Sequence, residues 1–183
     1  MADAYERKTV DAMIEIPRGS RNKYEWDPKR GAFRLDRVLY SSVHYPADYG
    51  FIPGTLAEDA DPLDILVLVE EPSFPGCLIE ARPIGMLEMA DDKGRDLKVL
   101  AVPAVDPRFD ELDSLARLPE HRKLEIAEFF EVYKRLEKKR TDVGAWHDVG
   151  AAWEVIIEAF DAARRAAGEP VVSLASMRMP PRD

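Results

Sequence analysis

The segment Leu78-Ile-Glu-Ala-Arg-Pro-Ile-Gly-Met-Leu-Glu-Met89 decides the fold. It reads as one long strand that must bend, because Pro83 and Gly85 near its middle are the residues at which barrel strands turn. The turn residues Asp92-Lys93-Gly94-Arg95 follow, and then a second apolar run, Leu97–Val102, so the two runs predict a hairpin. Further out, short runs at Met13–Ile16, Tyr24–Trp26, Phe33–Leu39 and Ile65–Val69 alternate with turn signals. These signals are Pro17-Arg18-Gly19, Asp27-Pro28, Gly31, Pro53-Gly54, Asp61-Pro62 and Pro75-Gly76. Short strands punctuated in this way predict a meander or a barrel.

The texture changes near Pro119. Over Glu120–Glu137 the residues Leu124, Ile126, Ala127, Phe129, Phe130 and Tyr133 recur at spacings of three and four, which predicts an amphipathic helix. Ala145–Ala167 repeats the pattern with Trp146, Val149, Trp153, Ile156, Ile157 and Phe160, and Gly168 supplies a C-terminal stop. The expected architecture is α+β with a mainly β core, barrel first and two main C-terminal helices after. Residues 1–168 form the expected single domain and 169–183 a C-terminal tail.

The chain has 183 residues, 46% of them hydrophobic, which suits one globular domain burying roughly 70% of its unfolded surface. With 26 Lys+Arg against 35 Asp+Glu the net charge is -9. Phosphate contacts supply most nucleic-acid affinity, so this balance argues against nucleic acid as a partner, and equally against anionic membrane surfaces. A single cysteine, Cys77, excludes an intramolecular disulfide and is expected as a small buried hydrophobe. The first residues are charged and lack an apolar segment, so no signal peptide is expected. No apolar run approaches a membrane span. The cytoplasm is the expected location.

The densest chemical feature is Glu58-Asp59-Ala60-Asp61-Pro62-Leu63-Asp64. In extended backbone Asp59 and Asp61 would point to one side, and a turn at Pro62 would bring Asp64 toward them. Carboxylates this close repel unless a cation lies among them, which predicts an oxygen-ligand divalent metal site. An EF-hand count through Asp59, Asp61 and Glu70 fails, because Asp64 stands where the loop needs glycine. Asp91 and Asp96 flank the second turn, and a four-residue hairpin loop there would set them face to face. Lys98 would share the face of Asp96.

Basic and phenolic residues complement these acids. Lys23 and Glu25 share one side of a strand, and Arg37, Tyr45, Tyr49 and Tyr133-Lys134 add an Arg fork, point charges and hydroxyl donors suited to phosphate. Acids, divalent cations and phosphate-directed cations together suit metal-assisted phosphoryl transfer to water. There is no GxxxxGK[ST], GxGxxG or GxSxG, and the three histidines (His44, His121, His147) are scattered, so zinc is not expected.

The ordered set Glu15-Ile-Pro17, Lys23-Tyr-Glu25, Asp36-Arg37, Tyr45-Pro-x-x-Tyr49-Gly50, Asp59-x-Asp61-Pro-x-Asp64, Asp91…Asp96-x-Lys98 and Tyr133-Lys134 resembles the soluble family I inorganic pyrophosphatases of bacterial type. The resemblance runs from about residue 13 to 165. It implies a five-stranded OB-like barrel flanked by helices, and Mg2+-dependent hydrolysis of diphosphate to two phosphates by a metal-activated water. Several magnesium ions per site are implied, with Mn2+ or a similar divalent ion as a substitute. By the same resemblance Asp59, Asp64, Asp91 and Asp96 are metal ligands, and Glu15 and Glu25 act on metals largely through water. Lys23, Arg37, Tyr49, Lys98, Tyr133 and Lys134 hold the phosphates, and Tyr45 lines the site. Asp61 takes the proton of the attacking water, with Asp96 the other candidate. A homo-oligomer, commonly a hexamer, is implied as well.

Two alternatives compete with this reading: an oligonucleotide-binding OB barrel, opposed by the acidic groove, and a hydrolase of another phosphoanhydride. One departure from the family pattern is Ala60, where glycine is common. A negative φ is expected there, since a left-handed alanine would strain the loop.

Overall fold

The structure, a computed structural model, describes residues 8–91 and 94–169, with only the backbone of Asp91. The expected tail from residue 170 onward lies outside the described residues. In chain order the strands are β1 (Val10–Ile16), β2 (Asn22–Asp27), β3 (Ala32–Val38), β4 (Asp48–Phe51), β5 (Asp64–Val67), β6 (Leu78–Asp91), β7 (Gly94–Arg95), β8 (Lys98–Pro103) and β9 (Thr141–His147). The helices are α1 (Glu120–Val132) and α2 (Val149–Ala167).

Five strands close on themselves. β1 pairs with β4, β4 with β5, β5 with β8, β8 with β6, and β6 returns to β1. All these pairings are antiparallel except β5–β8. This ring is the barrel-like core that the punctuation predicted. Closure needs a strand long enough to serve two neighbours, and β6 fills that role by bending. Its register against β8 slips between Pro83 and Gly85. A Cβ on Gly85 would lie 2.4 Å from Leu115 Cγ, so only glycine admits this packing. Beyond the bend β6 stays paired with β8 as far as Leu87, and it also carries β9 and β7. The β2–β3 hairpin forms a separate two-stranded sheet.

Period-two alternation gives the ring two apolar faces. Leu66, Leu100 and Val102 join Tyr45, Phe129, Phe130 and Tyr133 in a cluster that docks α1. Ile65, Val67, Val99 and Ala101 face the other way, against Trp153 and Ile156 of α2. The parallel pair β5–β8 is thus covered on both faces, as parallel strands require.

Several expectations need correction. Ala145–His147 belong to β9 and not to the second helix, which starts at Val149. Asp148 is the helix N-cap, its carboxylate accepting from the Ala151 N–H at 3.0 Å, and a capping aspartate marks the first place where the helix can begin. The first helix stops at Val132, and Arg135–Glu137 form a separate 3-10 turn closed by left-handed Lys138 (φ 58°). β4 was not expected as a strand. Its glycine decides it: a Cβ on Gly50 would lie 1.9 Å from the Met13 carbonyl oxygen, so β1 and β4 approach more closely than any other residue allows. The hairpin after β6 sets Asp91 opposite Gly94, and the Asp96 N–H donates to the Met89 carbonyl at 2.8 Å. Asp91 and Asp96 therefore do not flank a four-residue loop as a facing pair. Cys77 is half-buried at the edge of the α2 cluster, not fully buried. No helix among the described residues is long and apolar enough to cross a membrane.

Candidate active site

The parallel register of β5 and β8 places Asp64 opposite Lys98, and Asp96 lies two residues before Lys98, just ahead of β8. Lys98 is only 3% exposed, and its ammonium donates to both carboxylates, Asp64 and Asp96. Burial alone would lower the lysine pKa. The charges of Asp64 and Asp96 outweigh it and hold the pKa above the ordinary value, so Lys98 is a fixed cation. Tyr49 of β4 lies beneath, with its ring centroid 5.6 Å from Lys98 Nζ. Burial first, and then the same two aspartates, push the Tyr49 phenol well up, which keeps it a hydroxyl donor.

The acidic loop before β5 differs from its extended reading. Residues 58–61 form a turn in which the Asp59 carboxylate accepts from the Asp61 N–H at 3.1 Å. Ala60 has φ 68°, so the expectation of a negative φ was wrong. The Ala60 N–H donates to Ala57 O at 3.1 Å and the Ala57 N–H to Asp61 O at 2.8 Å. These bonds around a tight loop demand the left-handed conformation and impose it on an alanine. The alternation argument for Asp59 and Asp61 fails for the same reason. Both side chains are on exposed residues.

The β2–β3 hairpin supplies the opposing cations. Lys23 donates to Glu25 and lies 3.8 Å from Asp36, while Arg34 lies 3.6 Å from Glu25. Arg37 donates from Nη1 to Asp36 and from Nε to Glu137 at 2.9 Å. Glu15 of β1 anchors the hairpin by accepting from the Trp26 N–H at 2.7 Å. Burial raises the Glu15 pKa to about 7, the Trp26 N–H bond opposes this, and the charge of Asp64 adds to it.

Tyr133 and Lys134 follow α1 directly. A chain of rings holds the first: Tyr45 packs on Phe129 at 4.8 Å, and Phe129 on Tyr133 at 5.2 Å. Lys134 Nζ sits 5.2 Å from the Tyr133 centroid. Burial raises the Tyr133 phenol, which also feels the charges of Lys134, Lys98 and Asp96. Tyr45 is fully buried, and its phenol is pushed well up by burial. It is a wall of the site and not an ionising group.

The structure thus gathers Asp64, Asp96, Lys98, Tyr49 and Tyr133 around one centre, and Lys23, Glu25, Arg37 and Glu15 around the hairpin beside it. The Asp59 carboxylate is taken up within its own loop, by the Asp61 N–H. The Asp91 side chain lies outside the described residues. Among the described residues, no three His, Cys, Asp or Glu side chains form a ready cation cage. The chemistry of the donor set nevertheless fits a hard divalent ion: Asp64 and Asp96 offer only carboxylate oxygens, and they already converge on one positive charge. His147 is engaged elsewhere, its Nε2 2.8 Å from a Glu88 oxygen.

Asp36 and Glu137 contact site residues although neither was a candidate. Asp36 was legible as a neighbour of Arg37. Glu137 was not: it lies 100 positions from Arg37 and read as the end of an amphipathic helix.

An inorganic pyrophosphatase family model matches residues 12–164. The inorganic pyrophosphatase of Geobacillus stearothermophilus is 56% identical over 155 residues, covering 85% of this chain and 94% of that protein. The Synechocystis enzyme of the same name is 58% identical over 149 residues, covering 81% and 88%. The crystal structure of inorganic pyrophosphatase from Thermus thermophilus superposes with a TM-score of 0.84 at 48% identity, covering 85% of this chain and 91% of that one. With a matched segment that contains every residue of the site, and relatives this similar over almost their whole length, this chain belongs to the inorganic pyrophosphatase family.

Proposed function

We propose that the chain hydrolyses inorganic diphosphate to two phosphates, with Mg2+ as its activating ion and Mn2+ able to replace it. The observation that carries this reading is the Asp64–Lys98–Asp96 group, a buried cation between one carboxylate on the adjacent parallel strand and another just ahead of its own strand, beside a hairpin that presents Lys23 and Arg37. Asp59, Asp64, Asp91 and Asp96 would hold the metal, with Glu15 and Glu25 at its outer edge. When bound, divalent cations lower the pKa of water and neutralise phosphate charge.

The chain's own residues do the rest. Lys23, Arg37, Lys98 and Lys134 hold the two phosphoryl groups by charge, and the Tyr49 and Tyr133 hydroxyls donate to their oxygens. Tyr45 closes the wall behind them and excludes water. A water oxygen bonds to one phosphorus while the bridging P–O bond breaks, and the electron pair leaves on the second phosphate. The Asp61 carboxylate accepts the proton of that water, and Asp96 is the alternative acceptor. We further infer a cytoplasmic homo-oligomer, a hexamer by family likeness, which light scattering on the purified protein would test.

The deciding experiment is phosphate release from diphosphate, triphosphate and ATP side by side with Mg2+. Diphosphate should dominate and chelation should abolish turnover. Dominant ATP hydrolysis, or activity indifferent to chelator, would overturn the reading.

A further inference from the structure

We propose that Glu137 is a positioning residue: it aims the Arg37 guanidinium at the substrate and ties it to the turn that carries Tyr133 and Lys134. This rests on the reading of Arg37 and Lys134 as phosphate-holding groups.

The Glu137 side chain is only 6% exposed, although it belongs to a three-residue turn at the end of a helix. Burying a carboxylate is costly unless it is paired, and its close partner is Arg37 Nε at 2.9 Å. Lys139, half-exposed, stands farther away at 3.8 Å. A bond to Nε fixes the rotation of the guanidinium plane, which a contact to a terminal nitrogen alone does not. Asp36 takes Nη1, and the remaining Nη donors are left to meet an anion. Burial lowers the Arg37 pKa, while the Glu137 and Asp36 bonds reverse this and raise it.

The other end of Glu137 is fixed just as firmly. Its N–H donates to the Lys134 carbonyl at 3.0 Å, and the Lys139 N–H reaches the same oxygen at 3.4 Å. The Lys138 N–H donates to Arg135 O at 3.1 Å, with Lys138 in the left-handed region at φ 58°. The backbone that carries Lys134 and the carboxylate that holds Arg37 are therefore one short rigid unit. Two cations from distant parts of the chain, one on β3 and one after α1, are set at a fixed separation through a single side chain. Small displacements of such groups are expensive in rate, so the spacing itself carries function.

The test is steady-state kinetics on Mg2+-diphosphate for Glu137→Ala, Glu137→Gln, Arg37→Ala and the double variant Arg37→Ala/Glu137→Ala, each with its melting curve. Lys139→Ala serves as a control for the neighbouring charge. Glu137→Ala should lower kcat/KM by about tenfold, chiefly through KM, and Glu137→Gln, which keeps an acceptor oxygen, should recover part of it. In the Arg37→Ala background the Glu137 change should add nothing further. If Glu137→Ala folds poorly, the isosteric Gln variant carries the same comparison. Full multiplicative effects in the double variant, or a lowered melting point with KM unchanged, would overturn the positioning role. An Arg37→Ala protein with unchanged kcat/KM would overturn the phosphate reading beneath it, and the single Arg37 variant alone reveals that outcome.

Discussion

Replacing Lys98 by methionine tests the centre of the site. The side chain is 3% exposed and serves two carboxylates, Asp64 and Asp96. Methionine matches its length but removes the charge, and leaves two acids facing one another without a counter-ion. Removing one partner of a buried pair costs about 3–5 kcal/mol, a large share of the roughly 5–15 kcal/mol that holds a domain together. For a chain of this size that amounts to a melting point lower by roughly 10 °C in chelator. A divalent ion bound by the two carboxylates would restore their balance. Mg2+ should therefore stabilise Lys98→Met, by about 3 kcal/mol at a hundredfold excess over its Kd, and should stabilise the wild type by less. The assay is thermal or urea unfolding of both proteins with EDTA and across a Mg2+ titration. In the double variant Lys98→Met/Asp64→Asn the loss should shrink, because one of the opposed charges is gone. If Lys98→Met is as stable as the wild type in EDTA, the buried-charge argument is refuted. If Mg2+ stabilises both proteins equally, Asp64 and Asp96 are not the acids that bind it.

Asp64→Asn and Asp96→Asn should lose Mg2+ affinity by calorimetry together with turnover, whereas Asp61→Asn should lose turnover with its Mg2+ binding better preserved; equal loss of Mg2+ in all three would end the distinct role of Asp61. Ala60→Gly relieves a left-handed alanine, worth about 1–2 kcal/mol, against a backbone-entropy cost of roughly 0.5–1 kcal/mol, so it should stabilise by about 0–1.5 kcal/mol in urea unfolding, while Ala60→Val should destabilise. Glu88 is held below its ordinary carboxyl pKa, first by its bond to His147, with Arg95 helping. A depressed folded-state pKa contributes stability that is present above 4.5 and lost as pH falls through the folded value, so Glu88→Gln should flatten the acid limb of the stability curve and leave Mg2+ binding unchanged.

The parts of the fold that the sequence revealed are those in which one local pattern dominates. β6 combined a long apolar run with Pro83 and Gly85, and the bend appears at those residues. Of the acidic run, Asp64 lies beside Lys98 and Asp96, while Asp59 and Asp61 sit in a turn that the extended reading did not foresee. What escaped was fixed by neighbours distant in sequence. β9 has aromatic and small residues that also suit a helix, and it is a strand because β6 offers it an edge. β4 depends on the close approach of Met13 to Gly50, which no local window contains. The left-handed Ala60 follows from bonds among Ala57, Asp59 and Asp61 that close only once the loop is formed. Glu137 escaped because its bond to Arg37 is made across 100 positions.

The pairing pattern bears on how a chain of net charge -9 could accept a polyanion. Lys98 is neutralised by Asp64 and Asp96, Lys23 by Glu25, and Arg37 by Asp36 and Glu137. A bare anion approaching these cations meets their carboxylates at the same moment, so little net attraction is available to it. Attraction grows only as positive charge is added on the acidic side of each pair. On this argument the proposed need for a divalent ion would already follow from the resting hydrogen bonds of the site. Diphosphate affinity measured by calorimetry should then fall steeply in chelator for the wild type. It should fall less for Asp64→Asn, in which one of the competing carboxylates has been removed from Lys98. An equal fall in both proteins would mean that the lysine–carboxylate pairs do not gate the substrate.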